Sequence, residues 1–595
     1  MTDNHLEDFF GIDPHDPEIK NKESIKETLG KQVRRWSSLR LLPKVLSFRE
    51  RYLILAFVLV IIGSLIAIPF SAYSHFTKPM PDFGGSFSEG EVGQPRLINP
   101  LLATSDADRD LVSLIYSGLL KYNPSGQLVP DLAKSYEISS DGLNYTLYLN
   151  DQAKWQDGMP VTADDVVYTV TTAQNPDYSS VQRINWQGVT VQKVDDETVL
   201  FKLKTPYAQF LNNLTLGILP KHIWQNIQPI NFSLSEYNLK PIGSGPYDFE
   251  KFQKDSLGQV QEYDLSSYKN YVGGQPYIDS ITLKFYQSEG DMIAGYNHNE
   301  IQNLAYVSPE NLNKLNFKQR LNIEKIKLPR YFGVFFNQTQ NQNLADKNVR
   351  LALNYATDKK AIIDGVLSGD GTPVYSPLIE NVLDVSPSIT KYEFDVDHAK
   401  QILSADGWTA GSDGVLTKKN TKLSLTITTS TFPELAEAAN ILKNQWSAIG
   451  VDVTINALST PELQQAIRDR SYDALLFGEI LNLDPDPFSL WHSSQRQDPG
   501  LNLALYDNST ADSLLETARQ TLDPTARLSK YNDFQNLVIN DAPAVFLYNP
   551  DYIYPQNRSI KGFDDTVIAA PSNRFVGIEK WYINTKRVWR NSNGN

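Results

Sequence analysis

An unbroken apolar run, Leu53–Phe70, divides the chain into a short tail and a large remainder. Uncharged sequence extends around it from Tyr52 to Phe76, with only the titratable His75 inside. A helix needs about 20 apolar residues to cross a hydrocarbon core, so the run predicts one transmembrane helix over residues 52–75. Ahead of it stand Lys31, Arg34, Arg35, Arg40, Lys44, Arg49 and Arg51, opposed only by Glu50. Flanking positive charge stays on the cytoplasmic side, which predicts a single-pass protein of the cell membrane with a cytoplasmic tail, 1–51, and its bulk extracytoplasmic. A cleaved signal peptide is the rival reading of the segment. The run begins too far from Met1 for that, is too long, and exits through the poor cleavage sequence Ser71-Ala72-Tyr73-Ser74.

Tail and remainder differ in charge. Residues 1–51 carry ten Lys and Arg against nine Asp and Glu, which leaves about −15 on the rest of a chain whose formal charge is −14. An acidic body opposes the phosphate contacts that dominate nucleic-acid affinity, so DNA and RNA are excluded as partners. The tail is acidic as far as Glu18 and basic from Lys20 to Leu42, a pattern that suits contact with anionic lipid or a cytoplasmic partner. The chain has no cysteine, hence neither disulfide nor lipidated cysteine.

Beyond the membrane segment, Pro79–Gly85 reads as a Pro/Gly-rich linker, placed at 76–83. Alternation predicts strands at Asn144–Asn150, Val189–Val194 and Thr198–Lys204, the last two forming a hairpin over Asp195-Asp196-Glu197. Helical periodicity marks Asp108–Leu120, Asp164–Thr172, Lys347–Leu367, Pro433–Ile449, Pro461–Arg470, Ala511–Thr521 and Thr525–Ile539. Strand and helix alternate throughout, which predicts α/β lobes. In ILKNQWSAIGVDVTI, Ile441–Ile455, a helix stops at Gly450 and an alternating strand starts at once, the elementary joint of a doubly wound lobe.

Several stretches are similar to the extracytoplasmic solute-binding proteins of ABC importers, in the large peptide/nickel-binding family, family 5. They are Leu114–Gly142 (LIYSGLLKYNPSGQLVPDLAKSYEISSDG), Lys154–Val170 (KWQDGMPVTADDVVYTV), Gly217–Trp224, Pro241–Phe249 (PIGSGPYDF), Val349–Ile363, Ser471–Gly478, Asp484–Trp491 (DPDPFSLW) and Asp541–Tyr554. Their order and spacing follow the family's and cover nearly all of Phe83–Val588. The resemblance implies a two-lobed, periplasmic-binding-protein-like clamshell of type II, in its large three-subdomain variant. Residues 84–117, 238–333 and 546–595 would form the base of lobe one, 118–237 a subdomain inserted in it, and 334–545 lobe two. The runs YFGVFFN and AVFLYNP would carry the two crossings between lobes, where paired strands bend at low cost.

The same resemblance supplies the candidate ligand residues. Asp484 and Asp486 lie in the acidic segment at the cleft edge of lobe two. Peptide-binding members place an aspartate just upstream, against the ligand's α-amino group. Here that position holds Leu481, so either Glu479 substitutes or the ligand has no ammonium to neutralise. On the crossings, Tyr331, Phe335, Asn337, Tyr548 and Asn549 are candidates because such strands line the cleft. Arg330 could hold a ligand carboxylate through its planar fork or a structural carboxylate equally well. Glu89 and Asn99 belong to a stretch resembling the family's first cleft loop. Trp491, Trp155 and Trp408 could each stack on a ligand, although packing in the core or within a lobe is the more usual role for each.

Enzymatic motifs are missing. The seven histidines form no HxxxH pair, and Gly243-Ser244-Gly245 is no nucleophile elbow, because Ile242 stands two residues before Ser244. Asp164-Asp165 reads as the start of a helix capped by Thr162. No cofactor and no metal are expected. The reading is a membrane-anchored receptor that traps an oligopeptide or similar solute and delivers it to ABC permease subunits. The alternative is a cell-surface sensor or adhesion receptor built on the same clamshell.

Overall fold

The computed structural model describes residues 47–380, 382, 389–564 and 566–589. The tail cations Lys31, Arg34, Arg35, Arg40 and Lys44 lie outside the described residues. Two compact units are present, one formed by the chain up to Met80 with the segment from Lys586, the other by Pro81–Thr585.

Among the described residues, the first unit contains the helix Phe48–Phe76, of 29 residues. At 1.5 Å per residue it is about 43 Å long. None of its apolar 18-residue window is buried. The next residues are not the expected linker. Thr77–Asp82 is a strand paired with Asn584–Trp589. Pro79 and Pro81 are two apart, so both missing N–H groups fall on one edge of this ribbon, where proline is tolerated. Arg587 secures the join: Nε donates to Thr77 Oγ1 at 2.8 Å and Nη2 to the Ser74 carbonyl at 3.0 Å, satisfying a carbonyl in the last turn of the helix.

Three larger sheets build the second unit. The first has the order Asn303–Leu304, Ser86–Val92, Ser280–Tyr286, Val260–Ser267, Tyr247–Lys254. A four-stranded antiparallel sheet, Ala133–Ile138, Asn144–Leu149, Thr198–Leu203 and Val189–Lys193, contributes to the same hydrophobic core. Its last two strands form the predicted hairpin.

The third sheet has the order Leu321–Lys327, Ala544–Asn557, Arg330–Phe336, Ala474–Ile480, Ser424–Ser430, Asp452–Leu458, with Gly371–Pro373 also paired to Ala544–Asn557. Period-two alternation divides its side chains between two cores. Val334, Phe336, Leu476 and Val545 face one, and Tyr331, Phe335, Leu475 and Phe546 the other. The strand Ala544–Asn557 is 14 residues long. Its first part pairs with Arg330–Phe336 and its second with Leu321–Lys327. Asn549 holds the two neighbours together where they meet, donating through Nδ2 to the Leu328 carbonyl at 2.8 Å and to the carbonyl of Arg330.

Two expected helices differ. Asp108–Leu120 is Asp106–Ile115, because the chain leaves the helix at Tyr116 and pairs Leu120–Tyr122 with Leu128–Pro130. Lys347–Leu367 is two helices, Lys347–Tyr355 and Lys359–Leu367, the second capped by Asp358, whose side chain accepts from the Ala361 N–H at 3.0 Å. The joint at Gly450 has φ +86° and leads into Asp452–Leu458 as read from the sequence.

Close backbone approach explains the glycines of PIGSGPYDF. The Gly245 N–H donates to the Ile115 carbonyl at 2.7 Å, and a Cβ on Gly243 would stand 1.9 Å from that same oxygen. Gly243→Ala should therefore lower stability by about 1–3 kcal/mol, the usual cost of forcing atoms into a packed region. An unshifted thermal midpoint would show that the backbone there yields freely.

Candidate functional site

A cavity of about 450 Å³ lies where the long strand changes partner. Arg330, Pro550 and Asp551, at the change-over itself, form one part of its wall. The five-stranded sheet and its surroundings contribute Glu91, Glu289 and Tyr306, and the seven-stranded region contributes Phe332, Leu367 and Glu434. A second cavity, of about 420 Å³, is lined by Tyr116, Tyr122, Asn212 and Asn482. Both border the turn Pro571–Phe575: Pro571 and Arg574 face the first, Ser572 and Asn573 the second.

Under the first cavity lies a buried charge cluster. Arg574, 1% exposed, donates from Nε and Nη2 to Glu89 Oε1 at 3.0 and 2.7 Å, and from Nη1 to Asp110 Oδ1 at 2.9 Å, with a further bond from Nη2 to Asp110 Oδ2. Glu89 also accepts from the Tyr554 hydroxyl at 2.7 Å. Glu91 is placed beside the cluster by strand alternation. A Cβ on Gly90, between them, would lie 2.3 Å from Ile301 Cδ1, so a larger residue there would force that side chain to shift. Burial, with repulsion from Asp110, raises the Glu91 carboxyl well above the ordinary carboxylate range.

The candidate residues from the sequence fall into four groups. Arg330 lines the first cavity. Glu89, Asn99, Asn337, Tyr548 and Asn549 are buried within protein structure. Asn99 accepts from the Leu101 N–H at 2.9 Å, and Asn337 donates to the Arg470 carbonyl at 2.9 Å. Tyr548 stacks on Phe332, with ring centroids 5.3 Å apart.

Tyr331, Phe335, Glu479 and Trp491 are brought together, but inside one core of the seven-stranded sheet and not on the cavity wall. The expectation that they meet a ligand is corrected by their packing: Glu479 is 3% exposed, shares a hydrogen bond with the Tyr331 hydroxyl and lies beside the Trp491 indole. Burial pushes its carboxyl up to about 8. Leu481 is buried in the same core. Trp155 and Trp408 are core residues.

Asp484 and Asp486 engage protein partners. Arg527 pairs with Asp484 at 3.2 Å, and Arg519 with Asp486 at 3.0 Å. The Tyr207 hydroxyl donates to Asp486 at 3.1 Å, and Gln209 Nε2 donates to the Pro485 carbonyl at 3.0 Å and to Tyr531 at 2.8 Å. Residues near the four-stranded sheet are thus latched to those near the seven-stranded one.

Glu91, Glu289, Tyr306, Phe332, Glu434 and Arg574 were not singled out from the sequence. The one local signal was the Glu-Gly-Glu at 89–91, two carboxylates on one face of a buried strand.

Comparison with known proteins gives this geometry its context. Residues 127–500 match the family model for bacterial extracellular solute-binding proteins, family 5 Middle. The oligopeptide-binding protein AppA of Bacillus subtilis is 31% identical over 520 residues, 84% of this chain and 92% of its own. The AppA structure, in complex with a nonapeptide, aligns with a TM-score of 0.66 at 30% identity, covering 85% of this chain and 100% of AppA. The ABC transporter substrate-binding protein CtaP of Listeria monocytogenes gives 0.74 at 29% identity, over 84% of this chain and 99% of its own. NikZ of Campylobacter jejuni, in complex with Ni(L-His), gives 0.68 at 26%, over 84% and 99%. The fold is α/β and periplasmic-binding-protein-like, and the chain belongs to the bacterial extracellular solute-binding proteins of family 5.

Proposed function

We propose that the chain is a membrane-anchored extracytoplasmic receptor that binds an oligopeptide or similar extended solute and delivers it to an ABC permease. The carrying observation is the 450 Å³ cavity walled from both sides of the strand change-over. Clefts between lobes bury most of a ligand's surface, and the ligand favours closure by its differential affinity for the closed state. The second cavity borders the same turn, Pro571–Phe575, and would add room for an extended ligand if the two spaces join. AppA, in the same family, has a nonapeptide bound in its structure. The exposed apolar helix Phe48–Phe76 supports the anchor, which would hold the receptor at high effective concentration beside its permease.

Native mass spectrometry of the full chain, released from detergent with and without added peptides, tests this. The expected result is a set of complexes heavier than the bare chain by short peptide masses. Failure to retain any peptide, whether co-purified or added, would reject the reading.

A further inference from the structure

We infer that the strand Asn584–Trp589 is a second membrane contact of this chain, with the Trp589 ring lying at the boundary between hydrocarbon and lipid headgroups on the extracytoplasmic side. The inference rests on the anchor reading of the helix Phe48–Phe76 and adds a partner, the lipid surface, for a strand some 500 residues away from that helix in sequence.

Depth follows from helix length. The uncharged run Tyr52–Phe76 lies wholly in the helix and spans about 37 Å at 1.5 Å per residue. A hydrocarbon core is about 30 Å thick, and about 40–45 Å with its headgroup layers. Centred on the bilayer, the run puts Tyr73 near the hydrocarbon edge and Phe76 within the headgroup layer. Thr77–Asp82 begins at the next residue, so the ribbon it forms with Asn584–Trp589 starts inside that layer.

The strand also reaches back along the end of the helix. Arg587 Nη2 donates to the Ser74 carbonyl at 3.0 Å and to the Thr77 carbonyl at 3.2 Å. Its guanidinium lies 5.6 Å from the centre of the Tyr73 ring. Two residues on, the Trp589 ring meets Tyr73 edge to face, with centroids 6.4 Å apart. Trp589 is thereby held within 6.4 Å of the depth of Tyr73, about one turn before the helix ends.

The exposed chemistry suits lipid. Trp589 is 68% exposed although it packs on Tyr73, and Tyr73, Phe76 and Met80 beside it are exposed too. Trp and Tyr gather at membrane interfaces because an apolar ring meets hydrocarbon while its N–H or O–H stays hydrated. The charge is complementary as well. Residues 71–80 and 586–589 contain Lys78, Lys586 and Arg587 and no Asp or Glu, on a remainder that carries about −15. The Arg587 partners named above and Thr77 Oγ1 are neutral, so its positive charge is left to act on lipid phosphates.

The test uses the full chain reconstituted in phosphatidylcholine vesicles, with lipids brominated either near the headgroup end of their acyl chains or near the terminal methyls. Subtracting the emission of Trp589→Phe from that of the parent isolates Trp589 among nine tryptophans, and phenylalanine keeps a ring against Tyr73. The expected result is a blue-shifted difference emission, quenched at least twofold by the shallow bromines and less by the deep ones. A control tests the anchor separately. The chain has no cysteine, so Ser64→Cys places a single thiol at the middle of the run, where it should resist a membrane-impermeant maleimide. A protected thiol with a water-like, unquenched Trp589 overturns the inference and leaves the anchor standing. Stronger quenching by the deep bromines also overturns it, by placing the ring in hydrocarbon. A freely labelled thiol overturns anchor and inference together.

Discussion

Replacing Arg574 with Leu should destabilise the Pro81–Thr585 unit by about 3–5 kcal/mol, the range seen when one partner of a buried ion pair is removed. The guanidinium is 1% exposed and holds Glu89 and Asp110, which are 0% exposed. Without it, both carboxylates stay in low dielectric with Glu91 beside them. Arg574→Lys should fall between, since an ammonium keeps the charge but lacks the fork that engages two carboxylates at once. Thermal midpoints of the three proteins at neutral pH measure this. A leucine variant within a degree of the parent at neutral pH would remove the cluster from any account of the fold.

The second large effect has the opposite sign. Glu479, with its carboxyl pushed up to about 8, keeps a proton in the folded state that the unfolded chain releases near pH 4.3. Its contribution is therefore fully present below about pH 4 and lost as pH climbs towards 8, amounting to about 3–5 kcal/mol over that window. Glutamine imitates the protonated acid, with one acceptor oxygen and one donor towards the Tyr331 oxygen. Glu479→Gln should match the parent near pH 4 and exceed its thermal midpoint by several degrees at pH 8.5. Peptide affinity serves as a second readout. A side chain inside the core should leave it unchanged, whereas a tenfold loss would return Glu479 to the role of ammonium partner. Parallel pH profiles for the two proteins would show that Glu479 is already ionised when folded.

Those residues also show what the sequence made legible. The apolar helix, the alternation of strand and helix, and the Gly450 joint were readable because each is encoded by neighbours. YFGVFFN and AVFLYNP were readable as extended because strands buried on both faces become continuous apolar runs. The charge cluster was not, since Arg574 meets Glu89 from 485 residues away and neither position carries a local signature of the other. Asp484 and Asp486 looked available for a ligand because their partners Arg527 and Arg519 lie 43 and 33 residues downstream on separate helices. Asp358 was hidden in a run whose helical period continues across the break, so one helix was expected where a cap starts a second. Pro79–Gly85 has linker composition, and only the distant strand Asn584–Trp589 reveals its first residues as half of a ribbon.

The shared strand Ala544–Asn557 has a mechanical consequence in the proposed receptor. Bending at Asn549 and at Leu328-Pro329 would set a rotation axis beside Arg330 and Asp551, which are themselves cavity residues. Groups that close to an axis travel little during a swing, so their grip on a ligand differs little between open and closed forms. Tyr207 and Gln209 meet Asp486 and the Pro485 carbonyl in a separate contact that does not involve the change-over residues, and the farther such a contact lies from the axis, the more the same angle displaces it. A ligand can be recognised near the fulcrum, but it shifts the equilibrium only through contacts that differ between the two states. In the proposed receptor the fulcrum would govern which solute is held, and the rim how long the jaws stay shut around it.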